Sequence, residues 1–267
     1  MAISITSSST PNFNSIPTTR ESEGKTPPPS RRLPIPAAPV RLTYVFIGIN
    51  VLVFIAQYMS QTVLGGDIVT ALGAKVNQHI IAGEYWRLVT PIFIHVNLIH
   101  LFVNCYSLYV IGPQVEIPFG YARHLLIYLL SGIAGVILSF ALSPNASVGA
   151  SGAIFGLVGA LALYLYRNRT GFGEFGRQRL MSLLFIIGLN LFFGVVATRI
   201  DNWGHVGGLT GGAILGWLIA PEFGVEKDFV AEPRVVDRNP LAARWLAVAA
   251  FALALGALTS VAIFLQR

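Results

Sequence analysis

The chain has 267 residues, of which 54% are hydrophobic and only 11% charged, with a mean hydropathy of +0.66. A soluble domain carries about 25% charged residues, so this chain lacks the polar surface needed to face water and is read as a membrane protein. The single Cys105 excludes an internal disulfide framework and a multi-cysteine metal site. The net charge of +6 is read as basic loops that orient the chain in a membrane, with no nucleic-acid partner expected.

Residues 1–40 are rich in Ser, Thr and Pro and show no apolar period. They bury too little apolar surface to offset their ordering entropy and are expected to form a disordered cytoplasmic tail. They lack the compact apolar core of a secretory signal, and the absence of Arg before Arg20 argues against an organellar transit peptide. Beyond them come apolar stretches of the length a spanning helix needs, about 17–25 residues. Seven are expected: Leu42–Met59, Pro91–Ile111, Ala122–Leu142, Gly149–Tyr166, Leu180–Ala197, Gly204–Ala220 and Leu241–Leu265. None contains Asp, Glu or Lys, and Arg123 and Arg244 sit at entry ends. The first loop, Ser60–Thr90, carries Tyr85 and Trp86, whose amphipathic rings suit an interface, so it is expected on or in the outer leaflet. The fold class expected is all-α and polytopic. Its parts are a core over 41–220, a charged cytoplasmic linker over 221–240, and a last helix over 241–267.

Orientation follows from the Lys/Arg distribution. With the N-terminus inside, 14 of these residues lie in cytoplasmic segments and 4 outside; without the tail the split is 9 to 4. Ionisable or strongly polar groups within a span are expensive and point to function. They are His95, Asn97, His100 and Asn104 in the second span, Ser151 in the fourth, Asn190 in the fifth and His205 in the sixth, with Asn50 in the first. A serine hydroxyl needs a base to become a nucleophile. No span contains a lysine, so the candidate bases are the histidines. The second, fourth and sixth spans all run from outside to inside, which brings Ser151, His205 and the His95/His100 region to the outer side.

Packing narrows the choice. Gly204, Gly208, Gly212 and Gly216 recur every four residues, as do Gly152, Gly156 and Ala160. Such small-residue faces let two membrane helices approach closely, which makes the fourth and sixth spans neighbours and puts Ser151 beside His205. His100 and Asn104, four residues apart, share a helix face and supply two donors for a developing oxyanion. The plainer readings are that glycine stripes mark packing alone, that a lone intramembrane His is a bonded structural residue, and that the histidines hold a metal. No Asp or Glu lies in the spans to join such a metal site, so neither metal nor cofactor is expected. Asn50 and Asn190 read as interhelical contacts, His79 and His124 as loop or edge residues, and Cys105 as a small apolar residue.

Taken together, GASGAIFG (149–156), the His100–Asn104 pair in HLFVN, His205 in GHVGGLTGG and the Trp86–Arg87 pair resemble the rhomboid family of intramembrane serine proteases over about Arg41 to Ala220. The resemblance implies a six-helix core, here with one further helix (six plus one). It implies a Ser151–His205 dyad without a third acid, and oxyanion stabilisation by His100, Asn104 and the Ser151 backbone N–H. It places Phe155 where an aromatic ring packs on the catalytic His, with Gly149, Gly208 and Gly212 in support. The expected substrates are other membrane proteins, cut near the outer end of a spanning segment whose helix is easily unwound. The expected location is the plasma (inner) membrane, with the site facing outside. A rhomboid-like pseudoprotease should lack the Ser or the His, and a transporter should show paired inverted repeats and a charged midplane site. Neither pattern is present.

Overall fold

Backbone N–H and C=O groups have no water to bond to in hydrocarbon, which restricts an apolar chain of this kind to helices or closed barrels. The structure, a computed structural model, describes residues 2–5, 31–196, 200–226 and 232–267. Its helices are α1 (Leu42–Leu64), α2 (Ile68–Gly73), α3 (Asn77–Ile81), α4 (Leu98–Leu142), α5 (Ser151–Arg167), α6 (Arg169–Val196), α7 (Asn202–Ile219) and α8 (Trp245–Gln266). Among the described residues α1, α4, α6 and α8 are long and apolar enough to cross a membrane.

Several boundaries differ from expectation, each for a local reason. The second span was expected from Pro91, but Thr90–Phe93 form a 3-10 turn, with Pro91 supplying no N–H, and the chain then runs extended. Asn97 caps α4, its side chain accepting from His100 N at 2.9 Å, and the helix begins at Leu98. His95 and Asn97 therefore precede the helix. The loop expected between the second and third spans is itself helical, so α4 is continuous except at Gly120 (φ 77°, ψ 170°), just after Pro118. A left-handed φ is open to glycine at little cost, and the break divides α4 into arms 98–119 and 121–142. The fifth span starts earlier than expected, at Arg169, with a break at Gly173; its expected end, Ala197, lies outside the described residues. Pro240 and the 3-10 turn Leu241–Ala243 delay α8 to Trp245.

The chain divides into two units. The larger, Ala37–Glu222 with Asn239–Arg267, has α5 at its centre, packed on α4 and α7, which also pack on each other. Ala153, Leu157 and Ala160 of α5 are fully buried. The outer helices keep large apolar side chains exposed, as with Phe185 of α6 at 70% and Phe264 of α8 at 79%, the surface expected of helices that face hydrocarbon rather than water. The start of α1 is held from α4. The buried Glu116 carboxylate accepts from Arg41 N (2.8 Å), Leu42 N (2.6 Å), Thr43 N (2.9 Å) and Thr43 Oγ1 (2.6 Å). It thereby satisfies N–H groups that a helix start leaves unpaired.

The smaller unit takes the described residues of Met1–Pro36 and Phe223–Arg238. In it β1 (Ala2–Ile5) pairs antiparallel with β2 (Arg31–Pro34), and β3 (Phe223–Glu226) with β4 (Arg234–Asp237). This first strand pair falls within the expected tail, where the alternation in Ile3–Ser4–Ile5 is too short to register as a period. Residues 6–30 lie outside the described residues. In the linker, Val225, Val235 and Val236 favour the pleated surface, and Arg234 bonds Glu226 at 2.6 Å.

Candidate active site

Ser151 is the first residue of α5. The chain enters that helix through Gly149, whose φ of +135° is closed to side-chain-bearing residues at no strain. A Cβ at Gly149 would also stand 2.9 Å from His100 Nε2 and 3.7 Å from Ser151 Oγ. The missing side chain is thus what lets the His100 ring and the Ser151 hydroxyl share one space. Gly149 N donates to Pro91 O at 2.8 Å and fixes this turn against the preceding loop.

His205 comes from α7, capped by Asp201, whose carboxylate accepts from Gly204 N at 3.0 Å. The two small-residue stripes meet in register. A Cβ at Gly208 would overlap the Gly152 carbonyl, one at Gly212 the Gly156 carbonyl, and one at Gly216 would lie 2.8 Å from Ala160 Cα. Backbones this close draw the helices together at the end where Ser151 and His205 lie, and His205 Nε2 sits 2.8 Å from Ser151 Oγ. The Phe155 ring stacks on the imidazole with centroids 4.4 Å apart and planes 8° from parallel. His205 Nδ1 is buried with no hydrogen-bond partner among the described residues, so no carboxylate orients the ring. A small open cleft of about 30 Å³ runs beside Ser151, lined among others by Ser151, Gly149, Gly152, Ser147, Asp201 and Pro91.

The remaining expected residues are placed as follows. His100 directs Nε2 toward Gly149, while its Nδ1 has no hydrogen-bond partner among the described residues. Asn104 is buried, and its Nδ2 donates to His100 O at 3.0 Å. One of its two amide hydrogens is thus spent on its own helix. His95 is fully buried, edge-on to His100 with centroids 5.2 Å apart. Among the described residues no group of three or more His, Cys, Asp or Glu is arranged to hold a metal.

The sequence reading passed over Gln57 and Lys75, and it noted Trp86 and Arg87 without the bonds by which they hold the first loop. Gln57 of α1 brackets His95, donating to its O at 2.9 Å and accepting from its N at 3.1 Å. It also donates to Asp67 (3.1 Å) and Thr70 (2.8 Å) at the start of α2. Arg87 is buried and donates to Glu84 (2.7 Å), Ala74 O (2.8 Å) and Ala71 O (2.8 Å), and Trp86 Nε1 donates to Leu72 O at 3.0 Å. Lys75 is buried too, its Nζ 2.8 Å from both Ser143 O and Asn145 O. Burial pushes its ammonium down to about 8, opposed by the Asp201 carboxylate. Lys75 is the single lysine between Lys25 and Lys227, and that isolation was the available signal, since a buried ammonium must find acceptors.

A family model described as the rhomboid domain matches residues 82–222. The chain is 44% identical to the Rhomboid protease GluP of Bacillus subtilis (strain 168) over 186 residues, 68% of this chain and 36% of that protein. It is 42% identical to RHOMBOID-like protein 1 of Arabidopsis thaliana over 144 residues, 53% of this chain and 36% of that protein. To the mitochondrial RHOMBOID-like protein 6 of the same plant it is 41% identical over 160 residues, 58% of this chain and 52% of that protein. The matches thus span about a third to a half of these relatives' length. With its apolar helices and this match across more than half of its residues, the chain is an integral membrane protein that belongs to the rhomboid family.

Proposed function

We propose that the chain is an intramembrane serine endopeptidase in which Ser151 is the nucleophile and His205 the general base. The observation that carries this reading is the 2.8 Å contact between Ser151 Oγ and His205 Nε2, with Phe155 stacked on the imidazole and Ser151 lining a small open cleft. His205 takes the hydroxyl proton on Nε2 as Ser151 attacks the scissile carbonyl. The imidazolium then protonates the leaving amine as the acyl-enzyme forms. Water enters and gives a proton to His205 as its oxygen attacks the acyl carbon; the bond to Ser151 Oγ then breaks, the imidazolium returns the proton to Oγ, and the carboxylic acid leaves. With Nδ1 unpartnered, the flat contact with Phe155 and the glycine-to-glycine helix seam take over the orienting role a carboxylate plays in a triad.

The oxyanion falls at the N-terminus of α5, where the first N–H groups have no intrahelical acceptor and the helix dipole favours negative charge. The Ser151 N–H, His100 Nε2 and the free amide hydrogen of Asn104 are its donors. Each well-aimed donor contributes about 2.7–4 kcal/mol in the transition state. The substrates are membrane proteins with a segment near the outer leaflet that unwinds easily, because a helical peptide bond hides its amide from attack. Gly, Ser or Pro near the cut lowers that cost, and a small residue precedes the cut. The chain takes the six-plus-one arrangement in the plasma membrane, N-terminus inside and cleft outside, with 1–40, 41–220, 221–240 and 241–267 as tail, core, linker and accessory helix.

The test is cleavage of a single-span substrate in detergent and in liposomes by the wild type, Ser151→Ala and His205→Ala. Cleavage by the wild type alone is expected, with a fluorophosphonate labelling Ser151. Cleavage by all three, or by none, overturns the proposal.

A further inference from the structure

The seventh apolar stretch has no part in the chemistry above, yet the end of α8 is bonded to the last turn of α4, from which the chain leads to the cleft. Gln266, in its last turn, accepts from Asn77 Nδ2 at 2.9 Å and donates to Phe140 O at 2.7 Å. Asn77 Nδ2 also donates to Phe140 O (3.0 Å) and Ser143 O (3.2 Å). These carbonyls belong to the last turn of α4 and its cap, where a helix leaves acceptors unpaired. Beneath the amides, Ile80 of α3, Phe140 of α4 and Ala262 of α8 are buried together, with Ile81, Leu88 and Ile263 around them. Three segments distant in sequence are therefore fastened at one point by both polar and apolar contacts.

From there the connection to the nucleophile is short. Lys75, two residues before Asn77, holds Ser143 O and Asn145 O, and its backbone pairs with Ser147 in both directions (3.0 and 3.1 Å). Ser147 and Gly149 line the cleft, and Ser151 follows directly. We propose that Gln266 is a positioning residue: with Asn77 it clamps the first loop to the 143–149 segment and so holds the outer wall of the cleft and the approach of Ser151. This assigns the last helix a role in setting the site, and its kinetic part rests on the protease reading above.

The experiment compares wild type, Gln266→Met, Gln266→Glu, Asn77→Ala and the Asn77→Ala/Gln266→Met double variant in full-length protein. Met keeps the volume of Gln but neither bond; Glu keeps the acceptor for Asn77 and loses the donor to Phe140. Amide exchange over 74–82 and 143–149 is read beside kcat and KM for a single-span substrate. Gln266→Met and Asn77→Ala should each speed exchange in both segments and lower kcat about three- to tenfold, the scale of a lost neutral hydrogen bond, with KM unchanged. Glu should fall between Met and wild type. The double variant should fall short of the product of the single effects, since the Asn77–Gln266 bond is lost in both singles. Unchanged exchange at 143–149 in Gln266→Met, or single effects that simply multiply in the double variant, would overturn the clamp. If the wild type itself cleaves nothing, the protease reading fails, and the exchange comparison decides the clamp by itself.

Discussion

Replacing Gly208 with Ala tests the seam between α5 and α7 with a single methyl group. The added Cβ would overlap the Gly152 carbonyl and stand 3.0 Å from Gly152 Cα. Relaxed carbon contacts lie near 3.5–4.0 Å, and the obstructing atoms are backbone that no rotamer change can move. The helices must therefore part by about 1 Å or more. Overpacking of this kind costs about 1–3 kcal/mol of stability. The catalytic consequence is larger. Ser151 and His205 stand on the two helices being separated, at 2.8 Å, and a misplacement of about 1 Å lowers turnover roughly 100-fold, about 2.7 kcal/mol in barrier height. Cleavage kinetics and fluorophosphonate labelling rate are measured beside thermal unfolding, with Gly256→Ala of α8 as control because a Cβ there meets nothing within 4 Å. Wild-type labelling in Gly208→Ala, or an equal loss in Gly256→Ala, would refute the argument that this contact sets the dyad geometry.

Three further outcomes are expected. Phe155→Ala removes the ring stacked on His205 and should lower kcat and the labelling rate about two- to tenfold, the worth of an aromatic pair, with Phe155→Tyr close to wild type; unchanged labelling in the Ala variant counts against an orienting role. Glu116→Ala leaves three backbone N–H groups of the α1 start and the Thr43 hydroxyl without their acceptor; a loss of roughly 2–3 kcal/mol is expected, visible as a lowered unfolding temperature, with Glu116→Gln between the two. Hydrogen bonds from Arg87, then His79, hold the Glu84 carboxyl below the usual range. A depressed folded value stabilises above the unfolded value of about 4.3 and is lost as pH falls through the folded one. Proteolysis of the first loop should therefore accelerate on acidification below about pH 4.3 in the wild type, and Glu84→Gln should show a smaller acceleration, the remainder coming from the Asp67 carboxyl that caps α2.

The parts of this molecule visible in its sequence are those governed by strict periods or by the cost of polarity in lipid. The four-residue spacing of Gly204, Gly208, Gly212 and Gly216 matched that of Gly152, Gly156 and Ala160, and the structure packs these stripes on each other. His205 stood out because imidazoles are scarce in such segments and Ser151 because it opens a glycine-rich stripe that matches the one beside His205; the two meet at 2.8 Å. What escaped notice rests on side chains that bond backbone carbonyls or N–H groups far away in sequence. Gln57 to His95, Lys75 to Ser143 and Glu116 to the α1 start have no spacing rule. Boundaries shifted where a local device outweighed hydropathy: Asn97 capping α4, Pro118 and Gly120 bending it, and Pro240 delaying α8.

α6 buries only Gly176, Leu183 and Gly194 among its described residues, so its standing rests on the lipid more than on the protein. Acyl-chain length is then a direct variable. A helix anchored mainly by its surroundings retilts as the hydrocarbon layer thickens or thins, while the close-set α5 and α7 keep their mutual distance. Reconstitution across a series of phosphatidylcholines of increasing chain length should displace α6 first, and detergent micelles, lacking lateral pressure, should leave it the least settled segment of the membrane core.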